Sequence, residues 1–425
     1  MPEDKPSMME ILSDNGYRTH GIGKMHFTPD MNAMRGFQSR ERQEEISSID
    51  DNDYWMHIIK KGYDYVFDPF GQRSEMYYIP QISQMPPEDH PTNWVGDRAL
   101  DFIKSHDYKK PFFLMVSFIH PHPPFSPPVP WNKIYRCIDM PDPNIPEEYG
   151  DCLTYYNYVQ NRYKYRDQGI DRNLARTMKA FYYACISFVD YQIGRILKLL
   201  EDMKQIDKTL IIFASDHGEM LGDYNSFGKR SMLDSSARIP LIVRFPDRVL
   251  SHIKCNKPVS LVDIMPTVLD INGISHSSIH TDGESLHDII SGISDRSVAY
   301  SQYGEGQKAL YMAVTETFKY IFSAPDDKEY FFDKKIDPLE KINIASRNAG
   351  HPEMKNLRKI LIDYLRHEKQ DAAVDSMGWR RYPILKVPDD PDRWLLFQDN
   401  IAVRDRETRL PEEYTANFPV SQLEV

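Results

Sequence analysis

The chain has 425 residues, of which 41% are apolar and 27% are charged, so it can bury a substantial core. Its formal net charge is -11, and its basic residues are scattered instead of forming a stripe, which excludes nucleic acid as an expected partner. No apolar run reaches the roughly 18 to 20 residues that a membrane span needs. The four cysteines stand far apart without a CxxC pair, which predicts free thiols.

The first third of the chain predicts alternating helices and strands. Apolar residues at helical spacing predict a helix over residues 6–15, and a strand over residues 17–22 follows. Residues 28–91 are polar, aromatic and irregular, which predicts a long excursion across one face of the domain. A helix over residues 93–105 and a continuous apolar strand over residues 111–119 come next.

The middle of the chain continues this alternation. Residues 123–172 are rich in Pro, Tyr and Asp without a period, which predicts a second long surface loop. A long amphipathic helix over residues 174–203 precedes two apolar runs, residues 209–214 and 240–245, which we interpret as buried strands. Strands that alternate with helices favour an α/β domain with a mainly parallel sheet.

Beyond residue 295 the pattern changes to short strands that are close in sequence. Residues 309–314, 320–323 and 330–333 predict a small antiparallel sheet, and a helix over residues 351–369 would cover it. We therefore divide the chain into a large α/β domain, a small α+β domain and a tail that wraps the latter, at residues 1–295, 296–369 and 370–425.

Polar side chains follow three of the predicted strands directly, and ligands of open parallel sheets bind outside the carboxyl ends of the strands. The three pairs are Lys24 with His26, His120 with His122, and Asp216 with His217. Extended backbone would place Lys24 and His26 on one side, where they could hold an anion. Asp216 and His217 could converge on a divalent cation. Spacing alone leaves simpler interpretations open: solvated residues, a proline-rich turn, or Asp216 as a helix cap.

A family resemblance accompanies these pairs. Residues 16–26, GYRTHGIGKMH, closely resemble the G-Y-x-T-x-x-x-G-K-W-H signature of sulfatases, with Met25 in place of the usual Trp. Further matches come in family order, at residues 111–114 (PFFL), 121–124 (PHPP), 215–219 (SDHGE), 228–229 (GK), 238–240 (RIP), 332–333 (FD) and 337–340 (DPLE). The resemblance implies an alkaline-phosphatase-like α/β/α sandwich with a mainly parallel sheet, followed by a small antiparallel sheet-and-helix domain.

The resemblance also implies roles for individual residues. Lys24 and His26 would bind the sulfate and support the nucleophile, and His122 would contact the sulfate. Lys229 would reach the sulfate from the far side. The metal ligands would be Asp216 and His217, and the metal is commonly calcium in this family, with manganese or magnesium as alternatives.

Other residues near these motifs have weaker implied roles. Glu219 and Asp223 are better candidates for supporting the site or capping a helix than for binding metal. His120 has no assigned role.

One family motif does not occur in the sequence. Sulfatases use a formylglycine made from Cys or Ser within Cys/Ser-x-Pro-x-Arg, and no such string is present. The pairs Asp50-Asp51 and Asp326-Asp327 we interpret as solvated turns, not as the family's first pair of metal ligands. Since fifteen residues precede Gly16, we expect an upstream segment to be missing and this chain to be inactive. We expect no targeting segment in this chain; a natural protein with an upstream segment could be periplasmic or secreted, and we otherwise expect a cytoplasmic protein.

Three functional hypotheses follow. The first is a sulfuric ester hydrolase that acts on a sulfated carbohydrate or an aryl sulfate. The second is a phosphonate or phosphate ester hydrolase on the same scaffold, which Asp216-His217 favours. The third is a binding homologue without a nucleophile. Trp131 and the tyrosines of the two long loops would suit sugar stacking, or would pack those loops down. The sequence leaves the oligomeric state open.

Overall fold

The computed structural model describes residues 5–45, 51–73, 77–165, 171–245, 252–275, 279 and 281–388. The chain forms two compact units, each assembled from separate stretches of sequence. Unit 1 comprises Met1–Met140, Thr177–Asp202 and Asp392–Val425. Unit 2 comprises Pro141–Arg176 and Met203–Pro391.

Helices and strands alternate through most of the described residues. The α-helices are α1 Met8–Asp14, α2 Asp53–Lys60, α3 Pro91–Ser105, α4 Tyr155–Tyr165, α5 Arg172–Asp202, α6 Asp234–Ala237, α7 Ile264–Ile271, α8 Leu286–Ser291, α9 Ile344–Arg347 and α10 Pro352–His367. The strands are β1 Arg18–Gly23, β2 Ser39–Arg42, β3 Phe112–Ser117, β4 Ile211–Ala214, β5 Leu241–Arg244, β6 Ala299–Tyr303, β7 Leu310–Val314, β8 Phe318–Ser323, β9 Lys328–Asp333, β10 Val374–Asp375 and β11 Gly378–Trp379.

Unit 1 contains a three-stranded parallel sheet in the order β2-β1-β3. At its carboxyl edge Gly23 lies opposite Ser117 of β3 and Arg42 of β2. The side chains that follow all three strands therefore emerge at the same edge. The sheet confirms the predicted parallel arrangement, and the predicted helix α1 begins at a capping box in which Ser7 and Glu10 bond each other's backbone.

The described residues between 28 and 91 contain regular secondary structure, so the prediction of an irregular excursion is wrong in part. It contains β2 and α2, and Tyr54 and Ile58 of α2 are fully buried in the core of unit 1. The two are four positions apart, so they share one face of the helix. Asn52 caps this helix by accepting a hydrogen bond from the amide of Trp55.

The predicted surface loop over residues 123–172 also needs correction. In unit 1, Phe125 and Ser126 are fully buried, and the ring of Phe125 packs edge-on against Tyr182 of α5. In unit 2, helix α4 occupies residues 155–165, and Leu153 just before it is buried. Residues 123–128 are buried, whereas none of residues 129–151 is, so the surface-loop prediction is wrong only for the ends of this segment.

Strands β4 and β5 of unit 2 form where the sequence predicted them, but they pair antiparallel with each other. Phe213 lies opposite Ile242 in the register, and the two side chains remain exposed by 37% and 62%. The prediction of strands buried on both faces is therefore wrong for this pair. The apolar composition predicted the two strands correctly but overestimated how deeply their side chains are buried.

The C-terminal part of unit 2 is a four-stranded antiparallel sheet in the order β6-β7-β8-β9, covered by α10. The predicted strands and helix are confirmed, and β6 is an additional strand. Residues 370–388 add β10 and β11, and the indole of Trp379 stacks on Phe322 and Tyr311 in the core of this sheet. The predicted tail beyond residue 388 lies outside the described residues.

All four cysteines are free, as predicted. Burial raises the pKa of Cys152 to about 12, so this thiol stays protonated at neutral pH. Among the residues that the structure describes, none of the helices is both long and apolar enough to cross a membrane.

Candidate functional site

The lysine motif begins where β1 ends. Gly23 has a φ of 91°, and a Cβ at this position would collide with the carbonyl oxygen of Ser117, so only glycine fits. The turn carries Lys24 out of the sheet, and His26 has a φ of 51°. The expected extended alternation of Lys24 and His26 is therefore wrong, because the backbone has left the strand conformation before either residue.

Two acidic residues that follow β2 hold this turn instead. Oε1 of Glu44 accepts hydrogen bonds from the backbone amides of Met25 at 2.9 Å and His26 at 2.8 Å. Oε2 of the same carboxylate lies 3.3 Å from Nδ1 of His26. The neighbouring Glu45 pairs with Nζ of Lys24 at 2.7 Å. Both carboxylates are almost completely buried, and the sequence analysis did not identify either of them.

Glu45 is the shared partner of a lysine, an arginine and a histidine. Besides Lys24, it contacts Nη1 of Arg73 at 3.1 Å and Nδ1 of His122 at 2.9 Å. Burial alone would raise the pKa of Glu45, but His122, Lys24 and Arg73 together hold that pKa well below its ordinary range. The carboxylate is therefore ionised at neutral pH, and Lys24, Arg73, His122 and Glu45 form what we call the Glu45 cluster.

Tyr77 braces two members of the Glu45 cluster. The guanidinium of Arg73 lies 4.9 Å from the centre of the Tyr77 ring, a cation–π distance. The ring of Tyr77 also meets that of His122 edge-on at 6.2 Å. Arg73 and His122 thus have packing partners besides their shared carboxylate.

His120, to which the sequence gave no role, is a buried core residue of unit 1. Its Nδ1 lies 3.2 Å from the hydroxyl of Thr92, and its ring packs 5.0 Å from that of His90. Burial lowers the pKa of His120 to about 4 and that of His90 well below its ordinary value. Both imidazoles are therefore neutral at pH 7.

Met25, which departs from the family signature, folds back onto its own strand. A Cβ at Gly21 would collide with the thioether of Met25, so the side chain covers the backbone at that glycine. The sulfur lies 3.1 Å from Nε of Arg40, whose guanidinium stacks over Phe27. The side chain of Met25 therefore packs against β1.

The second group of predicted residues lies in unit 2, directly after β4. Nδ1 of His217 lies 2.7 Å from the carbonyl oxygen of Gly218, so it carries the proton of that hydrogen bond. Nε2 is then an acceptor, and it lies 2.8 Å from Nζ of Lys229 and 3.3 Å from Oδ2 of Asp216. Asp216 is largely exposed, with 78% of its side chain accessible.

Residues around this group fix the loop that carries it. Oε1 of Gln160 accepts hydrogen bonds from the amides of Lys229 and Arg230, both at 3.2 Å. Glu219 accepts from the amide of Gly228 at 2.5 Å, and Asp223 accepts from the hydroxyl of Ser235 at 2.6 Å. Through these contacts Glu219 and Asp223 hold the loop, which is consistent with the supporting role expected for them.

A buried ionic group anchors the far end of the same loop. Nζ of Lys319 lies 2.5 Å from a carboxylate oxygen of Asp234 and 2.5 Å from one of Glu340, and Lys319 is 1% exposed. Lys334 contacts Asp234 from the other side at 2.8 Å. Burial opposes ionisation of Asp234, but the two lysines lower its pKa to about 2. Burial raises the pKa of Glu340.

The donor atoms of Asp216 and His217 suit a divalent cation. A neutral imidazole with its Nδ1 proton on a backbone carbonyl presents Nε2 as a ligand atom, which is the usual arrangement of metal-bound histidine. One carboxylate and one imidazole supply two ligand atoms, whereas Ca²⁺ takes about six to eight oxygens, so other groups must complete the sphere. Among the described residues, Asp270, His287 and Asp288 also lie close enough together to hold a metal ion. Neither the sequence motifs nor the family resemblance points to that cluster.

Each unit thus gathers part of the predicted site. Unit 1 brings Lys24, His26 and His122 to adjacent carboxylates, and unit 2 brings His217 into contact with both Asp216 and Lys229. From their positions after predicted strands we also expect the two groups to share one cleft at the carboxyl edge of the sheet, and this stays a prediction. Glu44 and Glu45 were missed because β2, with the sequence SRER, has no apolar alternation; once it is known to be a strand, the strand-end rule identifies them.

Comparisons with known proteins identify the family of the chain. The profile of the Sulfatase family matches residues 1–274, and that of the N-sulphoglucosamine sulphohydrolase C-terminal region matches residues 222–371. An arylsulfatase of Clostridium perfringens is 30% identical over 407 residues, covering 88% of this chain and 80% of its own length.

Two further matches extend the comparison. A choline-sulfatase of Rhizobium meliloti is 28% identical over 400 residues, which cover 90% of this chain and 76% of the relative. Among solved structures, a phosphonate monoester hydrolase from Silicibacter pomeroyi superposes with a TM-score of 0.71 at 23% identity, covering 90% of this chain and 85% of that protein. At this identity the superposition describes the fold alone, which is alkaline-phosphatase-like.

Proposed function

Since the chain belongs to the sulfatase family, whose profile matches residues 1–274, we propose that its site binds a sulfate ester and serves sulfuric ester hydrolysis. The observation that carries the proposal is the Glu45 cluster: Lys24 and His122 are held within 3 Å of one buried carboxylate at the edge of a parallel sheet. Charged donors fixed in this way are suited to an oxyanion.

Lys24, His26 and His122 would contact the sulfate oxygens in unit 1. Lys24 keeps 23% of its side chain exposed and His26 keeps 62%, so both can reach a ligand from solvent while their carboxylates stay buried. His122 is also our candidate for protonating the leaving oxygen, because imidazole can exchange a proton near neutral pH. In unit 2, Lys229 would add a further positive charge.

Asp216 and His217 would hold a divalent cation, most commonly calcium in this family. When bound, such a cation neutralises charge on sulfate oxygens. The protein presents Oδ2 of Asp216 beside Nε2 of His217. Because Nδ1 of His217 donates its hydrogen to the carbonyl of Gly218, Nε2 keeps a lone pair for a ligand bond.

No residue of this sequence fits a formylglycine, because no Cys/Ser-x-Pro-x-Arg string occurs in it. We therefore assign no nucleophilic step to these 425 residues and expect them to bind sulfate esters without measurable turnover. The same observation favours a second candidate function, a binding homologue.

A phosphonate or phosphate ester hydrolase is the remaining candidate, favoured by the pair Asp216-His217. The substrate class within sulfate esters we propose as an aryl sulfate or a sulfated carbohydrate. Trp131 packs 4.9 Å from Phe188 and 5.3 Å from Tyr191, so this loop aromatic contributes to packing on α5, and any sugar stacking must involve its remaining exposed surface.

Calorimetric titration of the 425-residue protein with 4-nitrophenyl sulfate and with 4-nitrophenyl phenylphosphonate separates these candidates, with release of nitrophenol followed in parallel. We expect tighter binding of the sulfate and no release from either ester. Preferential binding and turnover of the phosphonate would establish the alternative hydrolase. Turnover of the sulfate would show that a nucleophile exists among these residues after all.

A further inference from the structure

The Glu45 cluster contains two residues that the family signature does not include, Glu45 and Arg73. The carboxylate uses both of its oxygens: Oε2 bonds Lys24, and Oε1 bonds Arg73 and His122. Its side chain is 6% exposed, whereas that of Lys24 is 23% exposed and that of His122 is 13% exposed. Lys24 and His122 are therefore more accessible to an anion from solvent than Glu45 is.

We infer that Glu45 is an internal counter-anion that fixes Lys24, Arg73 and His122 in place and whose negative charge limits the affinity of the site for oxyanions such as sulfate. This inference rests on the proposed function. Glu45 is a positioning residue, because it acts through the cations that would touch the ligand. Arg73 is the cation that balances it: with 9% of its side chain exposed, Arg73 is closer to a structural partner than to a solvent-facing donor.

Two effects of Glu45 on a bound sulfate oppose each other. Fixing the cations spares the ligand the entropy of ordering them, while the carboxylate repels the ligand's own negative charge. In a partly buried site the repulsion between charges a few ångströms apart exceeds the net value of one hydrogen bond. Replacing Glu45 by the uncharged and similarly shaped Gln should therefore tighten sulfate binding. If Glu45 served only to support the fold, the same replacement would weaken sulfate binding.

The test is the dissociation constant of inorganic sulfate, measured by calorimetry at low salt on the 425-residue protein. Glu45→Gln should tighten binding by at least about fivefold, because the cations lose their counter-charge. The matched control is Glu41→Gln in β2, whose carboxylate is 3.3 Å from His20 and 3.9 Å from Arg98, outside the cluster, and whose sulfate affinity should not change.

If Glu45→Gln does not fold, a double variant can be used to test the inference instead. Glu45→Gln combined with Arg73→Gln removes one charge of each sign, so it should fold and bind sulfate within about twofold of the wild type. Unchanged or weaker binding in a folded Glu45→Gln protein, or much weaker binding in the double variant, would overturn the inference and leave the proposed function intact. Failure of the wild type to bind sulfate would overturn both.

Discussion

Nδ1 of His122 lies 2.9 Å from Oε1 of Glu45 and 2.7 Å from the carbonyl oxygen of Pro123. Both neighbours can only accept, so Nδ1 carries a hydrogen, and any proton that His122 exchanges is carried at Nε2. Long-range ¹H–¹⁵N spectra of the labelled protein should show the neutral form of His122 as the Nδ1–H tautomer. An Nε2–H tautomer would contradict the contact with Glu45 and remove His122 as the proton donor proposed above.

Metal binding should depend on Asp216 and His217. Millimolar CaCl₂ or MnCl₂ should raise the melting temperature of the wild type modestly, since two ligand atoms make a weak site. Asp216→Asn and His217→Gln should each abolish that increase. Asp270→Asn, in the other acidic and histidine cluster, is the matched control and should keep it. If only Asp270→Asn abolished the rise in melting temperature, the metal would bind at Asp270, His287 and Asp288, which would contradict our proposal.

Acid should destabilise unit 1 through its buried histidines. The pKa of His120 is about 4 in the folded protein against an ordinary 6.5, so the unfolded chain binds more protons between these values. The contribution of His120 is complete above pH 6.5 and is lost as the pH falls toward 4; a shift of this size corresponds to roughly 3 kcal/mol. Glu45 and His122 face His120 and act on its pKa in opposite directions, Glu45 raising it and His122 lowering it.

The measurement for this prediction is the free energy of unfolding in urea at pH 7.5 and at pH 4.5. His120→Gln should reduce the difference between the two values even if it lowers both. The exposed His367, with 82% of its side chain accessible, supplies the control His367→Gln, which should leave the difference unchanged. An equal pH dependence in His120→Gln and wild type would show that His120 is not neutral and buried in solution.

Lys319 should be essential to the stability of unit 2. Lys319→Met would leave Asp234 and Glu340 as buried carboxylates with reduced compensation, at a cost of roughly 3–5 kcal/mol in the free energy of unfolding. Lys334→Met removes a lysine that contacts Asp234 from a more exposed position, with 16% of its side chain accessible, so it should cost about 1 kcal/mol. Equal losses in the two variants, measured by urea unfolding, would argue against the buried group as the anchor.

The sequence predicted the fold where apolar patterns were strong. The strands β1 and β3, the helix α5 and the antiparallel sheet with α10 all have clear periodicity, and each forms near its predicted bounds. The polar strand β2 and the short helix α2 were missed because their signals, four polar residues and a pair of buried residues at Tyr54 and Ile58, are brief and lie in an otherwise polar segment.

Residues of the candidate site could be predicted only where the strand that precedes them could be predicted. Lys24, His26 and His122 follow apolar strands and were found, whereas Glu44 and Glu45 follow β2 and were not. Arg73 lies 28 residues from Glu45 in sequence, and nothing local links the two. Ion pairs of this kind arise from tertiary packing, which no pattern within one segment encodes.

The most direct test of the account is the affinity of the protein for 4-nitrophenyl sulfate before and after Lys24→Met, measured by calorimetry. Lys24 contacts Glu45 and would be a charged donor to the proposed ligand, so its loss should weaken binding at least about tenfold. The control Lys198→Met removes a surface lysine that is 65% exposed and should leave the affinity unchanged. Equal affinity in Lys24→Met and wild type would contradict a sulfate ester site at the carboxyl edge of the parallel sheet.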